Sequence, residues 1–586
     1  MSSVGDHLWE ILGRKGLERV FSVSGGVIGP LLDSLSTSTL QALFMHHEQA
    51  CSMAAEGYAR ITGKPAVVLI TNGPGVSNAL TGVLGAYQDS IPMLIISGQV
   101  SAPQQSRFAT HKLRQLGVQE VNTERAVEGF VKDFHRVESA HELEEVVSLA
   151  LLQCSTGRPG PVWLELAIDI QGLESHIGAR KAHVEMSPNP KPSSSVISLL
   201  FQELEKSRRP LALVGNGVHI SETADSVRRF LRTLGIPKVA TWSGADVFDF
   251  DDDLYVGNIG LLGERAANAA VQEADFLLVL GSRLSVPVIG YDTSAFSPHS
   301  FKAMVDVDEN EIFKSTLQID LPIVSDLRDF IPVMTSQIGE GVWPTNPEWV
   351  RSLKARKQEL SIEKEKFLAQ GGRVDSYEFV KNLGEAIRAP INIVTDMGTS
   401  FTCTMQALRR RIGTRLFTSS GTSSMGFGLP GAIGASVASP GTTTLCIAGD
   451  GGLQMTVQEL QTLKHHQLPV KIFVLNSAGY LAISLTQDNL FDGRRFGSDF
   501  SSGLSTPSFV GIAEAYGIKA TKVETTDAVS AECLRVIIER PGPELIELFL
   551  PDSQVMRPRV MSFRDSEGTL QSPSLDQMWP DLETTV

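Results

Sequence analysis

Short apolar runs recur along the chain, each followed by a glycine-bearing turn and then a helix-like stretch. They fall at residues 66–71 and 93–98, at 211–215, 276–281 and 303–308, and at 391–396, 444–449 and 471–476. Runs that are apolar on both alternating faces belong to parallel strands covered by helices on both sides. The grouping predicts an α/β protein of three doubly wound parallel-sheet domains in a row. A length of 586 residues agrees, because one hydrophobic core stops growing near ~250–300 residues. Polar, proline-rich stretches at 186–195 (MSPNPKPSSS) and at 339–346 mark linkers, the second followed by a charged helix over 348–367. The expected division is therefore 1–185, 193–340 and 370–550, with an irregular tail at 551–586. That tail either folds over a neighbouring surface or stays mobile.

Sixty-six acidic residues oppose 51 basic ones, for a net charge of −15. Such a surface repels nucleic acid and anionic membrane, so neither is expected as a partner. An anionic ligand must instead be held locally by backbone N–H groups, helix N-termini or a metal. The five cysteines (Cys51, Cys154, Cys403, Cys446 and Cys533) form no CxxC pair, which supports neither a disulfide framework nor a zinc site. Reduced thiols, no secretory leader and no apolar run of membrane-spanning length lead to the expectation of a cytoplasmic protein.

The most informative segment is Gly449-Asp450-Gly451-Gly452, directly after the run 444–449, with Asn476 one strand–turn–helix–strand unit later. That spacing sets Asp450 and Asn476 at the carboxyl ends of two parallel strands, where open α/β sheets bind ligands. A carboxylate, an amide oxygen and one backbone carbonyl supply half an octahedron for magnesium, and a diphosphate with water can complete it. Gly451 and Gly452 leave their N–H groups free to approach phosphate oxygens. A bare GDG is as well explained by Asp450 capping the next helix, over about 458–464, so the surrounding motifs decide between the two.

Those motifs carry a family resemblance. GDGGLQMTVQELQTLKHHQLPVKIFVLNSAGY resembles the thiamine-diphosphate motif of the acetohydroxyacid synthase (acetolactate synthase) family, with Ser477 where an asparagine is frequent. The resemblance implies that Asp450, Asn476 and the Ala478 carbonyl bind Mg2+, and that Gly449, Gly451, Gly452, Gly479 and Tyr480 lie around the cofactor. Residues 44–100, beginning FMHHEQACSMAAEGYAR, are similar to the pyrimidine-binding domain. Glu48 falls on the activating glutamate, whose carboxylate assists the cofactor's aminopyrimidine in removing the thiazolium proton. GTSSMGFGLPGAIGAS resembles the segment whose bulky apolar residue, here Met425, bends the cofactor. TDMGTS sets Gly398, Thr399 and Ser400 where the family touches the diphosphate, although two small hydroxyls replace Gln and His. LALVGNGV, AANAAVQEADFLLVLGSRLSVPVIGYD and KAMVDVDENEI resemble the central domain, with Arg283 and Asp306 at nucleotide-contacting positions. Phe-Asp-Asp-Arg is missing after Arg283, which leaves FAD, ADP and an empty structural domain all open. The central block carries no GxGxxG redox fingerprint, and this argues against a dehydrogenase.

The implied activity is decarboxylation of a 2-oxo acid such as pyruvate and carboligation of the acyl unit onto a second carbonyl. Gln119 and Glu120, in LGVQEVN, resemble the segment lining the active site; His111 and Arg114 precede them and could meet a substrate carboxylate. In the segment after Tyr480, Leu485 and Gln487 replace an Arg and a Trp of the synthases, so the acceptor stays open. The alternatives are a 2-hydroxyacyl-CoA lyase or oxalyl-CoA decarboxylase, and a non-catalytic thiamine-diphosphate-binding protein. The resemblance also implies a homodimer or homotetramer with active sites between subunits.

Overall fold

The computed structural model describes residues 2–175, 191–338, 346–365, 372–388, 390–551, 554–564 and 566–581. Half of the linker read at 186–195, and nearly all of that at 339–346, lies outside them. The first sheet contains β1 (Arg19–Ser22), β2 (Gln41–Phe44), β3 (Ala66–Ile70), β4 (Met93–Gln99), β5 (Asp133–Val137) and β6 (Pro161–Ala167). The second holds β7 (Pro210–Val214), β8 (Lys238–Ala240), β9 (Tyr255–Asn258), β10 (Phe276–Leu280), β11 (Phe301–Asp306) and β12 (Leu321–Val324). The third holds β13 (Ile391–Thr395), β14 (Thr414–Phe417), β15 (Thr444–Gly449), β16 (Val470–Asn476), β17 (Lys519–Val523) and β18 (Glu544–Phe549). Every pairing within these sheets is parallel.

The strand orders are β2-β1-β3-β4-β6-β5, β12-β11-β10-β7-β8-β9 and β14-β13-β15-β16-β18-β17. Winding therefore reverses between β1 and β3, between β10 and β7, and between β13 and β15. A crevice opens at the carboxyl ends of the strands at each reversal. The two-faced burial that the apolar runs demand is met residue by residue. Val68, Ile70 and Ile95 enter one core cluster, while Val67, Leu69, Leu94 and Ile96 enter the cluster on the opposite face. In the third sheet Cys446, Ala448, Ile472 and Val474 face one way, and Leu445, Ile447, Phe473 and Leu475 the other.

One core is shared by the N-terminal and C-terminal domains. Helices α1 (Glu48–Thr62) and α2 (Pro74–Gln88) cover the first sheet, and α3 (Gly428–Ala438) covers the third. Where α1 crosses α3, a Cβ on Gly434 would overlap the Ala54 carbonyl oxygen, and one on Gly57 would overlap the Gly431 carbonyl oxygen. The helices thus meet backbone to backbone, which is why both are rich in glycine and alanine. Beside the crossing Arg60 pairs with Glu56 at 2.7 Å and Asp89 at 2.5 Å. Asp89 also accepts the Ser420 amide at 2.7 Å, and Glu56 the Ser419 hydroxyl at 3.2 Å.

The tail folds over the central domain, the first of the two expected outcomes. Leu575 and Met578 are buried, and Leu575 joins a core cluster of that domain. Arg265 Nη1 donates to the Met578 carbonyl at 2.8 Å, and Asn268 Nδ2 to the Leu575 carbonyl at 2.9 Å. Two helical expectations shift. The one over 348–367 is Pro347–Glu359 followed by a 3-10 turn, Ile362–Lys364, with 366–367 outside the described residues. The one over 458–464 is a 3-10 turn, Val457–Glu459, continuing into Leu460–His466.

Candidate active site

Strands β15 and β16 pair with Gly449 opposite Leu475, so Asp450 and Asn476 emerge side by side next to the reversal of the third sheet. Asp450 is buried; one carboxylate oxygen accepts the Gly451 amide at 2.8 Å, the other those of Ser477 (3.1 Å) and Gly479 (3.0 Å). Burial nevertheless dominates and pushes its carboxyl up to about 6. Asn476 donates Nδ2 to Glu547 at 2.7 Å, which turns its Oδ1 the other way, where it accepts the Ala478 amide at 2.9 Å. Ala478 sits in the left-handed region with φ 58°.

Met425, Gly451 and Tyr480 come together. A Cβ on Gly451 would run into the Tyr480 ring and would stand 3.0 Å from the Met425 methyl carbon. Met425 is held by a residue the sequence reading did not single out: buried Asp396 accepts the amides of Met397 (2.8 Å), Gly426 (3.0 Å) and Gly428 (3.0 Å). Gly452 packs against the same carboxylate. Gly398, with φ 81°, and Gly449 flank the reversal between β13 and β15, and a Cβ on either would meet no atom within 4 Å. Together they leave an open, side-chain-free cradle. Thr399 begins the helix Thr399–Ala407, while the Ser400 hydroxyl is occupied by the Asp396 and Met397 carbonyls at 3.0 and 3.1 Å.

Glu48 is the first residue of α1, and it is buried. Its Oε2 accepts Asn78 Nδ2 from α2 at 3.0 Å, and Gly75 lies against its other oxygen. Gln119, at φ 57°, lies with its backbone against Gly73 in the turn that precedes α2. Glu120 turns into its own loop, where it accepts the amides of Leu116 (2.7 Å), Gly117 (3.2 Å) and Ser106. His111 and Arg114 are exposed on that loop. Among the described residues no hydrogen bond or ion pair joins Glu48 to Asp450, Asn476 or Met425.

Arg283 and Asp306 line a different space, a cavity of ≈ 480 Å³ walled by all three domains beside the β10–β7 reversal. Arg283 stands 3.9 Å from Asp89, and burial pushes the Asp306 carboxyl up to about 6. Arg158 enters from the first domain and pairs with Asp308 and Glu311 at 2.9 and 2.7 Å. No helix among the described residues is long and apolar enough to cross a membrane.

The residues missed by sequence reading are Asn78, Asp396 and Glu547. GPGVSN carried the signal for Asn78 through its spacing after Glu48, and TDMGTS carried it for Asp396. Glu547 lies on β18, far along the chain from Asn476, and no local pattern betrays it.

Family descriptions match in chain order. "Thiamine pyrophosphate enzyme, N-terminal TPP binding domain" covers residues 2–122, the central domain 197–345, and the C-terminal TPP binding domain 396–548. Among similar proteins is the acetolactate synthase large subunit of Lactococcus lactis, 31% identical over 94% of this chain and 93% of its own length. Acetolactate synthase isozyme 2 large subunit of Escherichia coli is 32% identical over 94% and 96%. A probable acetolactate synthase large subunit of Methanocaldococcus jannaschii is 30% identical over 93% and 91%.

Proposed function

The chain belongs to the acetolactate synthase large-subunit family of thiamine-diphosphate enzymes, and we propose that it decarboxylates a 2-oxo acid, pyruvate first among them, and joins the acyl unit to a second carbonyl. The observation that carries this reading is the convergence of Asp450, Asn476, Met425 and Tyr480 on the Gly449–Gly452 turn. The donor set fits Mg2+: one carboxylate, the Asn476 amide oxygen and the Ala478 carbonyl are all hard oxygens, and a diphosphate supplies the remaining charge.

When bound, thiamine diphosphate supplies an electron sink for the carbon that loses CO2. The protein's part is to hold it. Gly398, Thr399, Ser400, Gly449, Gly451, Gly452 and Gly479 offer backbone to the diphosphate, and Met425 and Tyr480 set its bend. Glu48, steadied by Asn78, holds a proton against the pyrimidine nitrogen, and Gln119 reaches the substrate. Arg283 and Asp306 would meet FAD or ADP if the interdomain cavity takes a nucleotide; an empty structural domain is the alternative. By its family resemblance the working enzyme is a homodimer or homotetramer, with the activating carboxylate of one subunit facing the turn of another. The domains divide at 1–185, 193–340 and 370–550, the tail starts at 551, and a cytoplasmic setting suits the unpaired cysteines.

Purified protein with Mg2+, thiamine diphosphate and pyruvate, beside Glu48→Ala, tests the reading. Acetolactate formed by the wild type and lost in the variant supports the synthase activity. Acetaldehyde that still depends on Glu48 redirects the acceptor, and untouched pyruvate overturns the donor.

A further inference from the structure

We propose that Gln487 and Arg495 are positioning residues for the 476–480 turn, bracing the Ala478 carbonyl that faces the cation; the inference rests on the cation reading of that turn. Residues 478 and 479 have φ 58° and 155°, a bend that does not hold itself. Asp450 supports it on one side through the Ser477 and Gly479 amides. On the other side the support is the segment 491–503. The Ser498 carbonyl accepts the Tyr480 amide at 2.8 Å, Gly479 bridges to Asp499, and a Cβ on Gly479 would overlap the Ser498 carbonyl oxygen.

The segment 491–503 belongs to none of the three sheets, so something else must fix it. Helix α4 (Leu481–Leu490) starts directly after the turn and holds the segment by two side-chain clasps. Gln487 Nε2 donates to the Phe496 carbonyl at 3.0 Å, while its Oε1 accepts the Ser498 hydroxyl at 2.8 Å and the Phe496 amide at 3.3 Å. Arg495 forks onto Asp488 at 3.0 and 2.7 Å and reaches Asp499 at 3.2 Å. Turn, helix and segment thereby close a triangle. Exposed ion pairs contribute little singly, but the bidentate fork orients as well as attracts. Gln487 is the stronger brace, because its partner Ser498 is wholly buried. With both ends of its amide engaged, Gln487 supports the turn.

Amide hydrogen exchange at Gly479 and Tyr480 in ligand-free protein, with calorimetric titration of Mg2+ at saturating thiamine diphosphate, tests this on wild type, Gln487→Ala, Arg495→Ala and Arg495→Lys. Residues that orient metal ligands from behind alter affinity by about 10–100-fold. Gln487→Ala is expected to weaken Mg2+ about tenfold and to speed exchange at Tyr480. Arg495→Ala does so less, Arg495→Lys lies nearer wild type, and the amides of β15 stay protected, reporting an intact sheet. Gln487→Ala and Arg495→Ala matching wild type in either readout overturn the positioning role alone. A wild type that binds no thiamine diphosphate with Mg2+ overturns the reading of the site, and the positioning role with it.

Discussion

At the residue scale, the candidate site is a set of carboxylates kept apart by what each one touches. Glu48 has Asn78, Asp450 has backbone amides, and Asp396 has the amides of Met397, Gly426 and Gly428. Acid–base assistance contributes typically 10²–10⁴-fold. Glu48→Gln should therefore lower turnover by about that range while cofactor affinity, read by calorimetry, changes by only about threefold. Asn78→Ala should cost turnover about tenfold, because Glu48 keeps its carboxyl but loses its orientation. Asp396 carries a pH signature. Burial raises its carboxyl from 3.8 to about 6, so its favourable contribution is complete below about pH 4. As pH climbs to about 6 the unfolded chain releases the proton while the folded one keeps it. Stability then falls by about 3 kcal/mol, at about 1.4 kcal/mol per unit. Thermal melts of ligand-free protein from pH 4 to 7 should show a shallower decline in Asp396→Asn; an unchanged slope would assign the titration elsewhere.

At the scale of elements, the α1–α3 crossing is the tightest constraint. Gly434→Ala forces a methyl into the Ala54 carbonyl. Overpacking of this sort costs typically ~1–3 kcal/mol and more where only backbone can yield. Urea unfolding should show that loss, whereas Gly441→Ala, with no atom near its Cβ but a φ of 83°, reports backbone strain alone. The sequence foretold the strands better than their partners. Continuous apolar runs marked β3, β4, β15 and β16 because both faces of those strands are buried. Short half-exposed β2 and β17, with burial changing along the strand, gave no such run. Asp450 and Asn476 were legible because one strand–turn–helix unit separates them. Glu547 and the Gln487 brace were not, since their meaning depends on which distant backbone folds against them.

At the scale of the whole molecule, one buried cation ties two domains beside the interdomain cavity. Burial pushes Glu56 up to about 7 even with Arg60 against it, and Asp89 is held by the same guanidinium and by Ser420. Arg60→Met leaves buried Glu56 without its counter-charge and Asp89 with only Arg283, at 3.9 Å, a change that typically costs ~3–5 kcal/mol. The expected result is a lowered melting temperature, partly restored by adding Glu56→Gln; equal melting of Arg60→Met and wild type would mean that water, not Arg60, compensates these acids. Domain-level architecture was readable from the recurring runs, whereas the sharing of one core by the first and third domains was not. It depends on glycines that look like ordinary turn or helix residues until α1 and α3 are seen to cross.

The fold of the tail has a consequence for biosynthesis. Leu575 completes the core of a domain whose own strands end at β12, more than two hundred residues earlier. Translation at ~5–20 residues per second leaves that domain waiting on the order of tens of seconds for its plug. During that interval the slot beside Gly290 and Asn268 faces solvent on the ribosome. Nascent chains stalled before residue 575 should accordingly be held by chaperones that release the finished one.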